Sequence, residues 1–349
     1  LEWRDLVPDT ESYQELFAQP DLTKEHKFIL SETQPRLHYA LEQMSSPWAT
    51  SPFMLLKAPE EAEYLTLLGD AMRQLQPKTN AVFGGQYHIA GRDVTFEPAT
   101  QADGLFAAKG EVITANWVEA EQLFGCLRQF NGDVSLQPGL VHRANGGVLL
   151  ISLRTLLAQP LLWMRLKTVV TQQRFDWVGF DESRPLPVSI PSMPLSLTVV
   201  LTGDRESLAD FQEMEPELAE QAVYSEFEDN IQIADADDMA QWCQWVMAVA
   251  ERFALPSPAE DAWPGLIREA VRYTGDQETL PLCPLWIGKQ LREVGVISGN
   301  GTFNGEQLSQ MLAQREWREG YLADRMQDEI LLEQILVETE GVRIGQINA

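Results

Sequence analysis

The sequence predicts an α/β domain built on a parallel sheet and followed by a smaller helical domain. Three features predict it. The pair Gly146-Gly147 runs into Val148, Leu149, Leu150 and Ile151, a continuous apolar run of the kind that forms a strand buried on both faces of a parallel sheet. Two further apolar runs, at 53–56 and 195–201, have the same character and are separated from it by stretches of helical period. From Asp235 onward the apolar residues recur at helical spacing almost throughout.

Residues 1–46 read as an N-terminal helical segment, in which Leu37, Ala40, Leu41 and Met44 share a face before Pro47 and Pro52 close it off. Residues 47–234 form the α/β domain. After its first strand comes KAPEEAEYL, where Ala62, Leu65, Leu68 and Met72 give the next helix an apolar face and the acids Glu60, Glu61 and Glu63 offset the dipole at its start. The run AVFGGQYHIAGRDVTFE at 81–97 predicts a hairpin insertion near 80–115, with Phe83, Tyr87 and Ile89 packed on their own domain rather than held out to a polypeptide. NWVEAEQLFGCLRQF reads as a helix with Trp117 and Phe124 in the core, and 156–170 as another with Pro160 near its start. PLPVSIPSMP at 185–194 is too proline-rich for a central strand and reads as an extended loop.

The helical domain spans 235–337. Asp235, Asp237 and Asp238 cap and charge the start of a helix bearing Met239, Trp242, Val246, Met247 and Val249, which Pro256 and Pro258 end. Helices at 263–274 and 284–296 follow. A last long helix, 305–336, places Leu308, Leu312, Leu322, Met326 and Ile330 on its apolar side.

Composition narrows the function. A formal net charge of −26, from 52 acids and 26 bases, repels phosphate backbones and anionic lipid, so neither nucleic acid nor a membrane surface is an expected partner. No apolar run approaches the roughly 18 residues of a membrane span, and the expected compartment is the cytoplasm. Cys126, Cys243 and Cys283 are unpaired in spacing, and His26, His38, His88 and His142 show no metal-ligand pattern, so no metal site is expected.

In a nucleotide-hydrolysing α/β domain the strand at 148–151 would end in a carboxylate that holds magnesium on the phosphates. Here Ser152 and Leu153 stand in that place. The first strand would lead into G-x-x-x-x-G-K-[ST], with glycines for backbone approach to phosphate, Lys for charge and a hydroxyl for the metal. Lys57, Pro59, Glu60, Glu63 and Tyr64 occupy that region instead, Glu63 at the lysine position and Tyr64 at the hydroxyl position. Three carboxylates beside a triphosphate would repel it. Ser152 lacks the G-x-S-x-G setting of a hydrolase nucleophile and reads as structural.

The blocks LFGCLRQF, PGLVHRANGGVLLI and EGVRIGQINA, in that order, resemble the bacterial Lon-like proteases related to archaeal membrane Lon. The resemblance covers nearly the whole chain. It implies an AAA+-like α/β domain, a helical lid-type domain, and in 338–349 the first strand of a protease domain whose Ser and Lys lie further on. It also places a sensor at Asp204, arginine-finger positions at Ala219 and Gln221, and a second sensor at Leu285. No arginine is present at the last three. The resemblance further implies a six-membered ring and polypeptide partners. Together these imply a module that has lost ATP and magnesium, has no catalytic residue of its own, and gates or presents polypeptide to its protease domain. The alternatives are an active ATP-driven motor with a displaced phosphate site, though no GK[ST] occurs anywhere, and an adaptor that reuses the scaffold.

Overall fold

The computed structural model describes residues 30–46, 48–77, 80–130, 133–179 and 186–332. The opening of the N-terminal segment, Pro47, the start of the loop at 185 and the segment 338–349 lie outside these described residues. The chain divides into a unit of residues 27–229 and a second unit that begins at Asn230.

In the first unit the elements run α1 (Pro35–Ser45), β1 (Phe53–Lys57), α2 (Ala62–Leu75), β2 (Phe83–Ala90), β3 (Asp93–Pro98), β4 (Phe106–Ala108), β5 (Val112–Ala115), α3 (Ala120–Phe124), β6 (Cys126–Phe130), β7 (Asp133–Gln137) and α4 (Leu140–Arg143). They continue with β8 (Val148–Ser152), α5 (Leu153–Ala158), α6 (Pro160–Gln172), β9 (Arg174–Phe175), β10 (Met193–Pro194), β11 (Thr198–Gly203), α7 (Arg205–Met214), α8 (Pro216–Gln221) and β12 (Val223–Glu226). The main sheet has the order β12-β1-β11-β8-β5 and every pairing in it is parallel. All five residues of β8 are buried, which is why its sequence reads as an unbroken apolar run.

Alternate residues of these strands serve two cores, as the pleat requires. Phe53, Leu55, Leu149, Ile151, Val199 and Leu201 join Leu156, Trp163, Leu166 and Phe211 in one. Trp163 sits edge-on to both Phe53, at 5.8 Å, and Phe211, at 5.0 Å. On the other side Val148 and Val200 face Leu41 and Met44 of α1 and Met72 and Leu75 of α2 across a cavity of about 210 Å³.

Several expectations need correction. Trp117 is 53% exposed, with its indole N–H donating to Glu119, while Phe124 is fully buried as expected. The predicted helix across both stops at Phe124, because Gly125 takes φ +72° and a side chain there would lie 2.1 Å from the Gln137 carbonyl oxygen. Cys126 then opens a hairpin in which it pairs with Gln137. The helix predicted over 156–170 is two helices, α5 and α6, broken at Gln159. That residue precedes Pro160, whose ring disfavours the α region for it. Val112–Ala115, read as part of the insertion, pairs with β8 as the edge strand of the main sheet.

The hairpin itself comprises β2 and β3, with β4 on its other side. Tyr87 packs inward against Phe96, Phe106 and Trp177 at 5.1–6.1 Å, so its ring is core. Its hydroxyl donates to the Pro191 carbonyl and accepts from the Trp177 indole, and burial pushes its pKa up to about 12.

The second unit is helical: α9 (Ala236–Arg252), α10 (Trp263–Thr274), α11 (Pro284–Ser298), α12 (Gly305–Glu319) and α13 (Tyr321–Leu331). The Asp235 carboxylate accepts from the backbone N–H groups of Asp237 and Asp238, the cap the sequence predicts. Trp242 and Trp263 pack edge-on at 6.2 Å, and the Trp242 indole donates to the Pro281 carbonyl. The predicted long last helix breaks at Gly320, and only its first half is buried, through Leu308 and Met311. Leu322, Met326 and Ile330, read as part of the helix's apolar side, are exposed.

Candidate functional site

Ligands of open α/β sheets bind in the crevice beyond the carboxyl ends of the strands, where the order of connection reverses. Here that crevice lies over β1, β11 and β8. The connection from β1 to α2 is Ala58 to Glu61, and the six positions before Glu63, Lys57 to Ala62, hold no glycine to let backbone N–H groups approach a phosphate. It folds down onto β11: the Ala58 N–H donates to the Gly203 carbonyl at 3.1 Å, and the Thr202 hydroxyl reaches the Ala58 carbonyl at 3.4 Å.

This places Glu60 over the end of β11, pointing at the end of β8. Its side chain is only 5% exposed. One carboxylate oxygen accepts from the Ser152 hydroxyl at 2.5 Å and from the Arg154 backbone N–H at 3.1 Å. The other lies 3.1 Å from the Arg154 guanidinium, whose side chain is 70% exposed. A buried carboxylate is costly unless paired and hydrogen-bonded, and this one is both. Glu60 therefore does not serve the start of α2, as the sequence suggests; it satisfies a donor in the first turn of α5.

The remaining predicted site residues go to structural duties. Lys57 pairs with Asp229 at 3.0 Å. Pro59 is half-buried in the connection. Glu63 stands in the first turn of α2, where its charge opposes the helix dipole as expected. Tyr64 is buried edge-on to Phe227 at 5.4 Å, so its ring faces the core. Leu153 is fully buried and packs over Gly203, leaving no room for a side chain there beyond tight contact. Asp204 caps α7, accepting from the Ser207 N–H at 2.8 Å; that bond first of all holds its carboxyl below the usual range. Asp204→Ala is expected to cost about 1 kcal/mol in urea unfolding. Ala219 and Gln221 lie on α8, half-buried and exposed respectively. Leu285 is half-buried in the first turn of α11, in the other unit. Among the described residues no cluster of His, Cys, Asp or Glu could hold a metal ion.

Arg154 and Thr202 escaped the sequence reading. A signal existed for Arg154: a base lies two residues past the strand whose end would ordinarily carry an acid, while acids follow the strand whose loop would ordinarily carry a base. Burial pushes the Cys243 thiol up, and Cys283 caps α11 by accepting from the Trp286 N–H at 3.4 Å.

Residues 109–227 match the family model of the LonB-like AAA domain. The chain is 66% identical over all 349 residues to a putative Lon protease homolog of Escherichia coli K12, of which it covers 60%. It is 34% identical over 309 residues to a putative Lon protease homolog of Haemophilus influenzae, with 86% of this chain and 51% of that protein aligned. Among solved structures it resembles NtrX from Brucella abortus in complex with ATP, at 12% identity and a TM-score of 0.43 over 88% of this chain and 63% of that one. The chain thus spans between half and two thirds of the curated relatives it matches. The chain is thus similar along its whole length to a putative Lon protease homolog, and within it residues 109–227, which contribute to a five-stranded parallel sheet, match a LonB-like AAA domain.

Proposed function

We propose that this chain is the non-hydrolysing AAA+-like module of a Lon-type Ser/Lys protease. It assembles a homo-oligomeric ring of six in the cytoplasm and gates or presents polypeptide to the protease domain of the same protein. The observation that carries this is the filled crevice: Glu60, bonded to Ser152 and Arg154, lies on the connection after β1, which has no glycine where a cradle needs two. A triphosphate entering there would have to displace the Glu60 contacts with Ser152 and Arg154, with the further carboxylates Glu61 and Glu63 close by in sequence. The absence of arginine at Ala219, Gln221 and Leu285 supports the same reading, since a neighbour's nucleotide would find no cation to stabilise its leaving charge.

Titration calorimetry of the chain with Mg-ATP is expected to show no binding heat up to millimolar nucleotide. Saturable binding in the micromolar range would refute the proposal and favour an active motor. In a protein of the relatives' full length, casein degradation is expected to proceed at the same rate with and without ATP.

A further inference from the structure

The crevice is closed by a charge pair whose signs are exchanged. A nucleotide site of this fold puts a base on the connection after the first strand and an acid at the end of the strand two places away, and the ligand with its metal lies between them. This chain puts Glu60 on the first connection and Arg154 just past the end of β8. Opposite charges brought face to face without a ligand attract each other directly, and here they meet at 3.1 Å. β1 and β8 are not neighbours; β11 lies between them, so the contact spans the full width of a strand. Leu153 over Gly203 and the Ala58 and Thr202 bonds fill the space beneath it.

We propose that Glu60 is a built-in latch. It holds the connection after β1 to the start of α5 permanently, doing from within the chain what a bound ligand does intermittently in a nucleotide-driven relative. The functional consequence rests on the non-hydrolysing reading above: the unit is fixed in one state, a spacer of constant shape rather than a motor. The contact itself does not depend on that reading.

Amide hydrogen exchange tests the latch on the whole chain, because exchange reports the opening of each segment separately. In E60A the amides of residues 58, 60 and 61 and of 153–156 are expected to exchange roughly 10–100-fold faster, together, although they are far apart in sequence. E60Q keeps the shape and removes the charge, so it is expected to loosen the same two segments even if E60A does not fold. R154M is expected to loosen both as well, and the E60Q/R154M double variant to be no looser than E60Q alone, as members of one interaction behave. Unchanged exchange at 153–156 in E60Q, or fully additive effects in the double variant, would overturn the proposal. Mg-ATP binding by the unaltered chain would instead overturn the functional reading and leave these exchange results standing.

Discussion

Lowering the pH from 7 to 4 is expected to cost the α/β unit about 3 kcal/mol through His142 alone. The ring is 1% exposed, in α4, stacked on Trp177 at 5.6 Å and edge-on to Phe106 and Phe175. Burial, and then the nearby Arg165 guanidinium, pull its pKa from 6.5 down to about 3. The Gly139 N–H donates to Nδ1 at 3.0 Å, which requires that nitrogen to be free of a proton and so works the same way. The unfolded chain takes up a proton at this residue below about 6.5, whereas the folded chain refuses it until about 3. The stability is therefore fully present above 6.5 and drains away as the pH falls toward 3. Urea unfolding across this range should show a steep slope in the parent and a much flatter one in His142→Phe. Equal slopes would show that His142 is not the group responsible.

Gly147→Ala is expected to destabilise the same unit by about 3 kcal/mol or more, lowering its melting temperature by roughly 6–12 °C. A methyl group at Gly147 would lie 2.2 Å from the Glu111 carbonyl oxygen and 2.4 Å from the Gly110 carbonyl carbon. Both are backbone atoms at the approach to β5, and the Val148 N–H donates to that same Glu111 oxygen. The methyl can be accommodated only by moving β5 away from β8. Differential scanning calorimetry is the direct measure; a shift under 2 °C would show that the edge strand yields freely.

The sheet was legible because its central strands are buried on both faces, so β1 and β8 contain unbroken apolar runs and β11 a run, Val199 to Leu201, flanked by threonines. The helix across Trp117 and Phe124 was misread because period alone does not register a backbone turn such as the one at Gly125, with φ +72°. The last helix was misread for a different reason: Leu322, Met326 and Ile330 have an apolar stripe's spacing, but spacing does not say whether a partner is present. At the candidate site the sequence identified the unusual residues and missed their relation. Glu60 looked like one acid among three near a helix start; only the approach of the connection across β11 brings it to Ser152 and Arg154. Burial of a charge is a property of two distant segments at once, and neither segment displays it alone.

The strand order also governs when the chain can fold. β1 lies between β11 and β12, so its first neighbours are Val199 and, later still, Val223. At ribosomal speeds of about 5–20 residues per second, an almost wholly apolar strand waits roughly 7–35 s for either flank. A nascent chain in that interval exposes two bare hydrogen-bonding edges, the condition in which chains aggregate or recruit chaperones. Yield on expression should therefore depend on translation rate and holdase supply more than on the stability of the finished fold.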